Sequence, residues 1–142
     1  MIDKLNKLLS SLVVFHRNLQ AYHWYVTGPD FFQAHLKLEE YYDEAAEAVD
    51  AVAELILMAG GKPETRIAEY LKNSSIKEAD WNNQKSKEIM SAVKADFQVL
   101  LSLAKEIKKE ADGAENYLVS TKMDDFISSY SKSIWMLDAA TK

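Results

Sequence analysis

Helix breakers are scarce in this chain, and their placement decides most of what it can fold into. Four glycines and two prolines punctuate 142 residues. They fall at Gly28-Pro29, at Gly60-Gly61 with Pro63, and at Gly113. Between them, apolar residues recur at helical spacing. The first run is Leu5, Leu8, Leu12, Phe15, Leu19, Tyr22 and Val26. The second opens at Phe31 or Phe32 and continues through His35, Leu38, Tyr42, Ala45, Val49, Ala53 and Ile56. A third runs from about Trp81 through Ile89, Val93, Phe97, Leu100, Ala104 and Ile107 to Ala111. A fourth runs from about Glu115 through Leu118, Phe126, Tyr130, Ile134 and Leu137. Gly28 suits the position just past a helix end, and Asp30 suits the N-cap of the next helix. Gly60-Gly61-Lys62-Pro63 makes a firm stop.

Glu64 to Asn73 reads as a short helix inside a connection, with Ile67, Tyr70 and Leu71 as its apolar face. A connection of about twenty residues is long for a compact domain. It makes sense as a crossover joining two parallel helices along a bundle. A tight turn, a long crossover and a tight turn give an up-down-down-up order. The predicted class is all-α: one domain over 1–142, a four-helix bundle of the ferritin-like arrangement with a short extra helix between helices two and three. No strand pattern, glycine-rich phosphate loop or internal repeat competes with it.

The absence of cysteine excludes disulfides, thiolate metal sites and thiol catalysis. A net charge of −5 without a basic patch argues against nucleic acid as the main partner. No stretch approaches the roughly 20 apolar residues that span a bilayer. MIDKLNKLLSS at the start carries no signal-peptide pattern, so the expected location is the cytoplasm.

The chemistry concentrates between Tyr22 and Gly61. His23 and His35 are twelve residues apart with position 29 midway. In an antiparallel hairpin turning near Gly28-Pro29, both histidines sit at one height, roughly 9 Å from the turn. Two imidazoles at one level are a plausible metal pair. Asp50 and Glu54 are one turn apart and share a helix face. Fifteen residues of helix separate Asp50 from His35, which is about 22 Å. Asp50 therefore cannot reach a metal held by His35 of the same chain. Either the histidines and carboxylates belong to different features, or a second chain supplies the missing half. Two copies of helix two packed antiparallel about a two-fold axis would complete two such sites at once.

Imidazole plus carboxylate without thiolate suits Fe(II), Mn(II) or Zn(II). Glu39, one turn from His35, offers an alternative ligand from the same chain. His16, seven residues before His23 on the same face, reads as structural or as support behind the ligands. Full-size ferritins place Glu-x-x-His inside each bundle, and no histidine here has that partner, so the bundle core should be apolar and the metal between chains.

At these residues the sequence resembles the Dps family, the mini-ferritins of starved bacterial cells. The matching motifs are His23-Trp24, Gly28-Pro29-Asp30-Phe31-Phe32, His35, Tyr42, Asp50-x-x-Ala53-Glu54, Gly60-Gly61-Lys62-Pro63 and Ile134-Trp135-Met136. The likeness covers nearly the whole chain. It implies a dodecameric shell with ferroxidase sites at two-fold interfaces, Fe(II) oxidation preferentially by hydrogen peroxide, and ferric mineral stored inside. By position it implies His23 and His35 as ligands from one subunit, with Asp50 and Glu54 from its neighbour. Glu39 matches an acidic position that supports the site or holds a second iron. Trp24 matches an aromatic that supplies an electron and limits radical escape, and also packs at an interface.

The chain departs from the family in three places. The acidic pore pattern Asp-x-x-Thr-x-Asp is replaced by Glu115-Asn116-Tyr117-Leu118-Val119-Ser120-Thr121, with Glu115 as a substitute acid. The lysine-rich tail that lets some members bind DNA is absent. Asp-Lys-His before Ile-Trp-Met is Ser131-Lys132-Ser133 here. Glu40 and Glu44 fall near positions that face the cavity in relatives, and otherwise read as a solvated face. Two other functions compete with the ferroxidase: a DNA-compacting protective module, and a non-catalytic helical assembly that binds Zn²⁺ at its interface.

Overall fold

A computed structural model of the chain describes residues 1–80, 82 and 84–142. Four long helices and one short one follow in order: α1 (Ile2–Tyr25), α2 (Phe31–Met58), α3 (Ile67–Asn73), α4 (Ser86–Gly113) and α5 (Tyr117–Thr141). α1 packs along α2, α4 along α5, and α1 lies across α4. This is the up-down-down-up bundle, and α3 sits in the long crossover.

The first and third apolar runs are the core stripes. Leu5, Leu8, Leu12, Phe15, Leu19, Tyr22 and Val26 are all buried, as are Ile89, Val93, Phe97, Leu100, Ala104, Ile107 and Ala111. α2 is rotated from its expected register. Its buried stripe is Ala34, Leu38, Tyr41, Ala45, Val52, Leu55 and Ile56, while His35, Tyr42, Val49 and Ala53 are half-buried. The difference arises because α2 packs on two sides: one stripe enters the core, and the neighbouring one lies along the seam with α1. On α5, Val119 is buried where Leu118 was expected, and Leu118 is exposed.

The turns differ from expectation in detail. α1 ends at Tyr25, and Val26 takes extended backbone. Val26–Thr27 (β1) pairs in parallel with Gln84–Lys85 (β2), a two-residue ladder that ties the α1–α2 turn to the start of α4. Gly28 thus lies two residues past the helix cap, at φ +126°. Asp30 is the N-cap of α2, yet its carboxylate accepts from the Ser86 hydroxyl rather than capping α2. The third helix begins at Ser86, and Trp81 lies outside the described residues.

α2 ends in a Schellman motif: Gly61 N–H donates to Ile56 O at 2.8 Å and Gly60 N–H to Leu57 O at 3.0 Å, with Gly60 at φ +84°. α4 ends the same way, through Asn116 to Ala111 at 2.8 Å and Glu115 to Asp112 at 3.1 Å. Here the left-handed residue is Glu115, at φ +55°, and not Gly113. Asn116 then caps α5 by accepting from Val119 N–H at 3.2 Å.

Three polar side chains on α1 hold the crossover in place. Asn6 donates to Lys62 O and accepts from Glu64 N–H. Ser11 Oγ accepts from Ser75 N–H. Asn18, 3% exposed, donates to Lys77 O and accepts from Ala79 N–H, both at 2.9 Å. These bonds satisfy backbone groups that a long loop on a helix would otherwise bury unpaired. α3 itself is mostly exposed. Ile67 and Leu71 face solvent, and only Tyr70 of its expected apolar face packs on the core.

Candidate metal centre

The α1–α2 hairpin places His23 and His35 at one height. Their rings stack at 3.6 Å between centroids, 13° from parallel. Each ring is fixed by the other's backbone. His23 Nδ1 donates to His35 O at 2.7 Å, and His35 Nδ1 donates to His23 O at 2.8 Å. A carbonyl can only accept, so both Nδ1 atoms carry the proton. In the tautomer that binds metal, the lone pair of each ring is then on Nε2, the atom a metal would take. The second nitrogen of each ligand-type histidine is thus oriented by a backbone carbonyl, as metal-binding imidazoles require.

Further rings extend the stack. Phe31 lies on His35 at 4.9 Å, and Tyr42 stands edge-on to His23 at 5.3 Å. Glu39 Oε1 is 3.8 Å from His23 Nε2. The Tyr42 phenol pKa is raised by burial first, then by the charges of Glu39 and Asp43. Tyr42 and Glu39 thus both lie against the His23 ring, a grouping that helical spacing alone could not show. Among the described residues, no three His, Asp or Glu side chains of one chain converge to hold a metal ion.

Asp50 and Glu54 lie exposed on α2, away from this cluster. Glu40 and Glu44 are also exposed on α2, and Glu115 is exposed beyond α4. His23 is 6% exposed, whereas Trp24 beside it is 59% exposed. Phe32 and Leu36 are exposed as well, so an apolar rim surrounds the histidine pair. Among the described residues, the fully buried side chains are apolar or aromatic apart from four serines, Asn18 and His23 itself.

The fold and the interhelical histidine pair define a ferritin-like domain, and the ferritin-like family model matches residues 2–142. "DNA protection during starvation protein 2" of Bacillus anthracis is 36% identical, over 97% of this chain and 94% of that protein. Among solved structures, a Dps protein from Bacillus brevis superposes with a TM-score of 0.95 at 34% identity, covering 99% of this chain and 95% of the other. The Dps protein of Vibrio cholerae O1, described as a member of a broad superfamily of ferritin-like diiron-carboxylate proteins, gives 0.96 at 33% identity, covering 99% and 88%. The chain belongs to the Dps family. Among the described residues no helix is long and apolar enough to cross a membrane.

Proposed function

We propose that this protein is a ferroxidase and iron-storage mini-ferritin of the cytoplasm, working as a dodecameric shell. Fe(II) is its substrate, hydrogen peroxide the preferred oxidant and dioxygen the alternative. The observation that carries this reading is the reciprocal Nδ1–carbonyl pair of His23 and His35, which leaves both Nε2 atoms unbonded at one height of the hairpin. Two imidazoles do not complete a site. The carboxylates of the same helix stand about 22 Å away along α2. A second copy, antiparallel about a two-fold axis, supplies Asp50 and Glu54 to this chain's His23 and His35, and receives the same in return. Trp24, Phe32 and Leu36 on the rim are the apolar surface that such a copy would cover.

Nitrogen and carboxylate oxygen form a borderline-hard ligand set, and carboxylate favours the ferric product. Glu39, 3.8 Å from His23 Nε2, supports the bound iron or takes a second. Two Fe(II) and one H₂O₂, with two protons, give two Fe(III) and two H₂O. The two electrons leave together when two irons are present. With one iron, Trp24 is the group placed to supply the second electron and keep hydroxyl radical from escaping. Zn²⁺ fits the same ligands but cannot be oxidised, so it should occupy the site without turnover.

The DNA-protection name of relatives suits a chain that removes iron and peroxide. A net charge of −5 opposes coating of DNA, because affinity for the duplex rests on phosphate neutralisation. Adding Fe(II) and peroxide to metal-free protein and following ferric absorbance tests the main reading. Oxidation no faster than in buffer would sink it. A gel shift at low ionic strength would bring DNA compaction back, and a metal-soaked structure with Zn²⁺ and no oxidation would favour the non-catalytic assembly.

A further inference from the structure

A register that brings two half-sites together also has a centre. If His35 of one α2 meets Asp50 and Glu54 of the other, the axis crosses α2 midway between position 35 and positions 50–54. That midpoint is Asp43 and Glu44. Asp43 lies on the α2 stripe that also carries His35, Glu39, Asp50 and Glu54, at successive helical steps, and it is exposed. On α1, His16 precedes His23 by seven residues, two turns on the same face, or about 10 Å. The shared sites would lie about 11–12 Å from the axis, half their separation along α2. His16 would therefore lie at the level of that axis, on the same side of the hairpin as its symmetry mate.

The hairpin seats His16 for this role. Its ring stands edge-on to Tyr42 at 5.8 Å, and Tyr42 contacts His23 on its other side. Burial first, and then the Arg17 charge, hold the His16 pKa below its usual value, while Asp43 acts on it from α2 in the opposite sense. A neutral imidazole is the form that binds metal. Two antiparallel copies of α2 would also bring the exposed Asp43 carboxylates of the two chains toward each other. Such a face calls for a cation at its centre.

Building on the shared-site reading, we propose that His16 and Asp43 of two copies form a second divalent-cation site on the two-fold axis, separate from the iron sites. Two imidazoles and two carboxylates suit Zn²⁺ in tetrahedral geometry. With all four positions filled by protein, the site would be structural, tying the dimer rather than oxidising iron.

Zn²⁺ bound to the assembled, metal-free protein tests this, measured by elemental analysis after desalting and checked by native mass. His16→Phe and Asp43→Asn should each lose about half a Zn²⁺ per chain, and Asp43→Asn should keep the wild-type rate of iron oxidation. His23→Ala should do the reverse, losing oxidation but keeping the axial half-equivalent. Co²⁺ added to His23→Ala/Asp50→Asn should give a tetrahedral visible band at about one ion per two chains. Asp43→Asn keeps side-chain volume, so it reports even if His16→Phe disturbs assembly. A full wild-type Zn²⁺ complement in Asp43→Asn, or no tetrahedral Co²⁺ in the double variant, overturns the axial site. Wild-type oxidation by His23→Ala would instead overturn the shared-site reading.

Discussion

His23 and His35 lock each other: the Nδ1 of each donates to the backbone carbonyl of the other, at 2.7 and 2.8 Å. The bonds cross the hairpin, so the imidazole pair is as rigid as the α1–α2 packing. A ligand pair held this way needs little reorganisation to bind metal, and its geometry depends on the turn at Gly28-Pro29 as much as on the histidines.

The shared-site reading predicts complementation. His23→Ala and Asp50→Ala should each slow peroxide-driven Fe(II) oxidation at least about tenfold. Dissociated and reassembled together, the two variants form mixed dimers in which one site carries both lesions and the other carries none. About a quarter of all sites should regain activity. Activity equal to the mean of the two separate variants would mean the ligands do not cross chains.

Trp24 should be separable from iron binding. Trp24→Phe keeps an apolar rim and should leave Fe(II) stoichiometry and shell assembly unchanged. Spin trapping during turnover should then detect more hydroxyl radical than in the wild type. An unchanged radical yield would leave Trp24 as interface packing alone.

Asp96 should give the bundle a pH signature. It is half-buried on α4, and burial raises its pKa to about 6, against the opposing effect of a hydrogen bond from Asn18. The native state therefore binds more protons than the unfolded chain between about pH 4 and 6, and this contribution to stability falls as pH rises through that window. Asp96→Asn removes the charge. It should melt higher than wild type at pH 7.5, and the advantage should shrink as pH is lowered toward 4. A constant difference across pH would refute this.

The two Schellman ends should respond in opposite directions. Gly61→Ala would place a Cβ 2.6 Å from Ile2 Cδ1 and 2.8 Å from Cγ2, so the whole Ile2 side chain must move. The expected loss is about 1–3 kcal/mol, largely restored by adding Ile2→Ala. Glu115→Gly relieves a left-handed non-glycine residue and should stabilise by about 1 kcal/mol. Denaturant midpoints of the three variants decide both points.

The bundle itself was legible because its cause is periodic. An apolar residue every third or fourth position must face inward, and six such positions on α1, Val26 just past its end and seven on α4 all do. The helix pair His23 and His35 was legible for the same reason, since equal distances from a turn give equal heights. The separation of His35 from Asp50 also follows from helix rise alone. Sequence could not place Glu115 rather than Gly113 in the left-handed position, because the last turn of α4 runs on through Gly113 before the chain reverses. Nor could it show that Asn6, Ser11 and Asn18 pin the crossover, or that Val26 pairs with Gln84. Those bonds join residues far apart in the chain, and nothing local marks them.

The sequence by itself determined the helices, their order and the equal heights of His23 and His35, because spacing along a helix is a local property. Tertiary structure alone decided which imidazole nitrogen is free, which α2 stripe enters the core and that Tyr42 and Glu39 both meet His23. Each of these depends on the distance and direction between two packed elements, and that relation exists only after α1 and α2 have closed on each other.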